Sequence, residues 1–202
     1  MYLARVQLDP TKTKRLTNLQ QYHGWVEDCF PIDRQNPTRP RHLWRIDQLY
    51  NQPYLLVVSP TAPDLHTLSR YGVPGTAAVK PYQPFLDRLQ AGQHCKFQLT
   101  ANPVYVENQT KRRVPYLTEA DQLVWLLSRA DRLGVQFTPN VHILGTTTQP
   151  VIKDQQRWSL LKVTYAGELI VKDPDQLRHA LINGVGRDRA YGTGLLTVLP
   201  LA

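Results

Sequence analysis

Six histidines, His23, His42, His66, His94, His142 and His179, are the side chains best suited to proton transfer near neutral pH, because imidazole has an unperturbed pKa of about 6.5. None forms a metal-ligand cluster with another histidine or with Cys29 or Cys95. The carboxylates are scattered, and neither a metal nor an organic cofactor is called for. A second chemical signal is Gly184-Val185-Gly186-Arg187-Asp188-Arg189-Ala190-Tyr191-Gly192-Thr193-Gly194. Glycine allows positive φ and close backbone approach. Bare N–H groups at Gly184, Gly186, Gly192 and Gly194 would cradle a phosphate, with Arg187 and Arg189 adding charge. The plainer alternative is a glycine-rich turn. A dinucleotide-binding loop fits poorly, because that loop follows a strand and opens a helix.

Charge points the same way. Twenty-four Lys and Arg against sixteen Asp and Glu give a net charge of +8. A basic chain attracts polyanions, and nucleic acid is the commonest of these in a cytoplasm. Two further basic clusters are Lys111-Arg112-Arg113 and the Pro- and Arg-rich stretch holding Arg34, Arg39 and Arg41. For each, a solvated surface run is the alternative. No apolar run approaches the roughly 20 residues that span a bilayer. No strongly basic amphipathic helix suggests a membrane surface, and the opening residues lack signal-peptide character. With two cysteines and no export signal, the expected compartment is the cytoplasm.

These groups need a scaffold, and hydrophobic periodicity outlines one twice. In the first half, residues 2–8 read as a strand and 14–29 as a helix, with Leu16, Leu19, Val26 and Phe30 on one face. Strands at 43–47 and 54–59, a short helix at 64–71 and a strand at 75–79 follow. Residues 80–92, with Pro81 and Pro84, read as a linker. In the second half, 95–101 is a strand, and 104–106 with 111–114 form a basic hairpin. A helix at 118–133 is capped by Thr118 and stopped by Gly134. Strands near 141–148 and 158–171 precede a helix from Asp173-Pro174 to Gly184, and 195–199 is the last strand. The expected fold is α+β: two tandem ferredoxin-like β-α-β-β-α-β domains, at residues 1–82 and 93–202.

The glycine-rich segment resembles the loop near the C-terminus of RAMP-superfamily CRISPR proteins. Within that group the chain is similar to the CasE family of type I-E repeat endoribonucleases. The supporting residues are Met1-Tyr2-Leu3, the His23 helix ending in Phe30-Pro31, Leu43-Trp44-Arg45-Ile46, Lys80-Pro81-Tyr82-Gln83-Pro84-Phe85, Ala101-Asn102-Pro103, Lys111-Arg112-Arg113-Val114-Pro115 and Gly192-Thr193-Gly194-Leu195-Leu196. The resemblance implies two ferredoxin-like domains. It implies metal-independent cleavage of CRISPR precursor RNA at the 3′ base of the repeat stem-loop, leaving a 2′,3′-cyclic phosphate and a 5′-hydroxyl. The enzyme would stay on the mature guide RNA and join the other Cascade subunits. A non-catalytic RNA-binding subunit of the same superfamily is the alternative.

His23 occupies the family's histidine position, so the resemblance makes it the catalytic residue. Read from its helix alone, it shares a face with Leu16, Leu19 and Val26, and a core histidine remains open. The family carries a tyrosine one turn before this histidine, where this sequence has Gln20. Tyr22 is the neighbouring phenol, but a helix turns about 100° per residue, so it points elsewhere and either assists or packs.

Overall fold

The computed structural model describes residues 1–201, with the side chain of Arg34 excepted. The first unit begins with β1 (Tyr2–Gln7), whose alternate residues Ala4 and Val6 are buried. Asp9 accepts from the Thr11 amide and starts α1 (Pro10–Thr13), with Pro10 at its first position. The helix expected over 14–29 is shorter, α2 (Leu19–Asp28). The reason is Asn18, whose side chain caps a new helix while Gln21 reaches back in a capping box. Then come β2 (Leu43–Leu49), β3 (Gln52–Ser59), α3 (Leu65–Leu68) and β4 (Ala78–Pro81). The antiparallel sheet has the order β2-β3-β1-β4, the ferredoxin-like arrangement. A core of Val6, Trp25, Val26, Trp44, Leu55 and Leu68 lies between this sheet and its helices.

After α4 (Gln83–Leu86), within the expected linker, the pattern repeats. The second unit holds β5 (His94–Ala101), the small hairpin β6 (Val104–Val106) and β7 (Arg113–Pro115), α5 (Glu119–Leu127) and α6 (Ala130–Leu133). β8 (Val135–Phe137), β9 (His142–Lys153), β10 (Gln156–Val171), α7 (Pro174–Asn183) and β11 (Leu196–Pro200) complete it. Its sheet runs β11-β5-β10-β8, and β9 pairs with the earlier part of β10. The short β8 was not read from the sequence, since three residues carry too little periodicity. The helix expected over 118–133 is two helices, because the Trp125 carbonyl accepts from the Ser128 hydroxyl and the Arg129 guanidinium where α5 ends. Gly134, at φ 66°, then turns the chain into β8. A Cβ there would lie 2.4 Å from the Asp173 carbonyl, so only glycine fits.

The long β9–β10 hairpin reaches back to the first unit, where Val151 and Leu160 are part of its core. A buried arginine makes the second link. Arg45 on β2 is 1% exposed. It donates to both oxygens of Asp47, Nε to Oδ1 at 2.5 Å and Nη2 to Oδ2 at 2.6 Å. It also donates to the Gln98 and Leu195 carbonyls and to the Thr197 hydroxyl, each at 2.8 Å. The planar fork of arginine suits this set, and a lysine could not satisfy it. Lys162 lies nearby, 5.5 Å over the Trp44 ring. Burial, then the Arg45 charge, push its pKa down to about 8.

Removing one partner of a buried pair leaves the other uncompensated, at a cost of about 3–5 kcal/mol. Asp47→Ala is therefore expected to lower urea-unfolding stability by about that amount. A loss under about 1 kcal/mol would place the pair among ordinary surface bridges.

Candidate active site

α2 turns Trp25 and Val26 into the first core. Trp25 donates its indole N–H to the Thr67 carbonyl, and so packs within the first unit. His23 is left at the edge of that packing, its side chain 27% exposed. It therefore faces solvent in part. The edge of Tyr191, from the glycine-rich loop, meets its ring at 6.0 Å between centroids and 70° between planes. On the other side, Nδ1 lies 3.9 Å from Glu27 Oε1, one helical turn on. The same Glu27 oxygen is 3.0 Å from His42 Nδ1, and His42 Nε2 is 3.0 Å from Asp33 Oδ2. Thr61 donates to that Asp33 oxygen, and Phe30 stacks on His42 at 3.9 Å. Burial alone would lower the His42 pKa, but the bonds to Glu27 and Asp33 outweigh it and raise the value.

Tyr22 is directed elsewhere. Its ring stacks on Trp44 at 5.9 Å, and burial raises its pKa. At the family's tyrosine position, the Gln20 carbonyl oxygen is buried without a hydrogen bond among the described residues. Glu27, His42, Asp33 and Tyr191 were not singled out from the sequence. The i,i+4 spacing of His23 and Glu27 was the only local signal; His42 and Asp33 are brought in by the fold.

The glycine-rich loop is held by packing. Gly184, Gly186, Gly192 and Gly194 all have positive φ. A Cβ at Gly192 would sit 2.6 Å from the Trp44 ring, and one at Gly184 would sit 2.7 Å from Leu43. The Trp44 indole donates to the Ala190 carbonyl at 2.9 Å. Asn102, of the Ala-Asn-Pro element, donates to Asp188 at 2.8 Å. The expected cradle of bare N–H groups is corrected in part. The Gly184, Val185 and Gly194 amides donate to the carbonyls of Ala180, Gly194 and Thr100, so they are committed within the protein. Here the glycines serve close approach, and the arginines carry the charge.

Those arginines converge on a cavity of about 540 Å³ lined by Arg41, Arg113, Arg129, Arg132, Arg187 and Arg189, with His179. Arg129 stacks on Trp125 at 3.8 Å, and Arg189 donates to the Asn183 and Gly184 carbonyls at the end of α7. Burial lowers the Arg189 pKa, and Arg41, Arg132 and Arg187 lower it further. Such crowding of like charge is relieved by an anion. Lys111 and Arg112 stand exposed at the hairpin turn, outside the cavity lining, and so does Arg39. The Arg34 side chain lies outside the described residues. Arg129, Arg132 and His179 were not anticipated, because the sequence reads as one unbroken helix over 118–133 and α7 is brought to the cavity only by the fold. Among the described residues no three His, Cys, Asp or Glu side chains gather as a metal site would need. Gly192→Ala combines a φ of 74° with the Trp44 clash. A stability loss of about 1–3 kcal/mol is expected by urea unfolding, and wild-type stability would show that the loop is not pinned there.

The chain matches the family model described as CRISPR associated protein over residues 1–200. It is 34% identical to the CRISPR-associated endoribonuclease Cse3 of Thermus thermophilus, over 99% of this chain and all of the relative. It is 30% identical to the Cascade subunit CasE of Escherichia coli, over 56% of this chain and 62% of that one. The solved structure of the CRISPR endoribonuclease Cse3 bound to a 19-nucleotide RNA superposes with a TM-score of 0.84 at 30% identity, covering 99% of this chain and 100% of that one. With the duplicated ferredoxin-like fold and the loop lodged against the His23 helix, these matches show that the chain belongs to the CasE (Cse3) family of CRISPR-associated proteins.

Proposed function

We propose that this protein is a metal-independent endoribonuclease that cuts CRISPR precursor RNA at the 3′ base of the repeat stem-loop. It would stay on the mature guide RNA as a subunit of a Cascade complex. One observation carries the reading: a single loop places Tyr191 against His23 and sends Arg187 and Arg189 into the arginine cavity. A proton-transfer group and a phosphate-attracting cluster are thereby tied together. RNA brings its own nucleophile, the 2′-hydroxyl. Its oxygen attacks the adjacent phosphorus while the bond to the 5′ oxygen breaks. The 2′ proton leaves to a base and the 5′ oxygen gains one from an acid, giving a 2′,3′-cyclic phosphate and a 5′-hydroxyl. His23 serves one of these proton transfers. The arginines hold flanking phosphates and offset the charge that develops on the reacting one.

Lys111 and Arg112 at the hairpin turn, with Arg39 and Arg41, are read as backbone contacts along the stem, whose A-form helix is recognised largely by shape. Tyr22, stacked on Trp44, is read as packing. The division into units at 1–82 and 93–202 is proposed on the two sheet orders with α4 between them. No helix among the described residues is long and apolar enough to cross a membrane. The cytoplasm, where the transcript is made, is the proposed place of action.

Two experiments test this. Wild-type protein in EDTA is expected to cut the host's repeat stem-loop. His23→Ala, or a single 2′-deoxy sugar before the cut, should abolish cutting and leave binding intact. Tight binding with no cutting by wild type would favour the non-catalytic RNA-binding subunit. In addition, Arg129→Ala and Arg132→Ala should each weaken RNA binding and reduce the slope of log affinity against log salt by about one. Unchanged slopes would remove the cavity from the RNA interface.

A further inference from the structure

We propose that Glu27, clamped from behind by the buried His42–Asp33 pair, is the positioning residue for His23. This rests on the reading of His23 as the proton-transfer group. An exposed glutamate one turn from a histidine would swing among rotamers, and solvent would screen it. Glu27 is not in that position. Its Oε1 is 3.0 Å from a His42 ring whose side chain is 2% exposed, and that ring is fixed by Asp33 at 3.0 Å and by the Phe30 stack. Both its nitrogens face carboxylates, which favours the doubly protonated ring that donates to each. The Glu27 Oε1 so held lies 3.9 Å from His23 Nδ1.

Two consequences follow. A fixed carboxylate 3.9 Å from Nδ1 favours, through its charge, the ring orientation and tautomer with hydrogen on Nδ1, leaving Nε2 as the working nitrogen. The negative charge also favours the imidazolium and so raises the basicity of His23. Tyr191 of the glycine-rich loop also faces His23; on α2 itself, Asp28 pairs with Arg70 at 2.8 Å. The clamp has its own pH window. The His42 pKa is raised in the folded protein. Its stabilisation is therefore full below the unfolded value near 6.5 and is lost as pH rises through the folded one.

The test uses the full-length protein and its repeat RNA, with Glu27→Gln, His42→Gln and Asp33→Asn. His23 is titrated by NMR without RNA, and single-turnover cleavage is followed against pH at saturating protein. Glu27→Gln is expected to lower the His23 pKa and move the acid limb of the pH–rate profile to lower pH. It should slow cleavage about tenfold to a hundredfold, the range for groups that orient a functional histidine, and leave RNA affinity within about twofold. Asp33→Asn should act in the same direction; His42→Gln, which also removes the positive charge behind Glu27, should slow cleavage without lowering the His23 pKa. If either buried variant fails to fold, the partly exposed Glu27→Gln still decides the matter. An unchanged His23 titration and pH profile in Glu27→Gln overturns the proposal, even where His23→Ala is inactive. Full activity of His23→Ala would instead overturn the underlying reading of His23, a separate outcome.

Discussion

The buried guanidinium of Arg45 sets the relation between the two halves of this molecule. It projects from the first sheet and donates to Asp47, to two carbonyls of the second sheet and to the Thr197 hydroxyl. Burying that charge is costly, and only this full set of acceptors makes it tolerable. The satisfied arrangement admits one registry of β2 against β5 and β11. Leu43 and Trp44, on the same strand, are carried to fixed places by it.

Alternation along β2 does the rest. Leu43 and Arg45 face the second unit, while Trp44 faces the first core and the glycine-rich loop. The loop packs against both, and Gly184 and Gly192 are the positions where a side chain would push into Leu43 and Trp44. This is how a segment 160 and more residues from α2 in sequence comes to rest its Tyr191 on His23. The same loop carries Arg187 and Arg189 to the cavity that Arg41, Arg113, Arg129 and Arg132 also line. In the proposed function, chemistry and phosphate affinity are joined through this one loop.

Much of this was readable from the residues. The double β-α-β-β-α-β order follows from periodicity and punctuation, because each unit buries one sheet face under helices. Asp173-Pro174 and Thr118 marked helix starts through local hydrogen bonds that need no tertiary partner. What escaped was set by local side-chain geometry or by distant contacts. The split of the helix after Leu127 rests on bonds from Ser128 and Arg129 to the Trp125 carbonyl, which residue types alone do not fix. β8 exists because β10 is long enough to pair with two successive strands. His42 looked like one histidine among six, and only the fold shows it between two carboxylates. The glycines read from the sequence as sites of positive φ and close approach, and at Gly184 and Gly192 that approach is to Leu43 and Trp44. The role proposed for His23 rests on the family resemblance, since helix position alone leaves it open.

The most direct test of the account is the chemistry of the cut ends. Repeat RNA cleaved by the wild-type protein can be analysed by mass spectrometry of both fragments. Attack by the 2′-hydroxyl, with His23 moving a proton, predicts a 2′,3′-cyclic phosphate on the upstream fragment and a 5′-hydroxyl on the downstream one. A 3′-hydroxyl with a 5′-phosphate would mean that water attacked the phosphorus, and would contradict the mechanism built on His23.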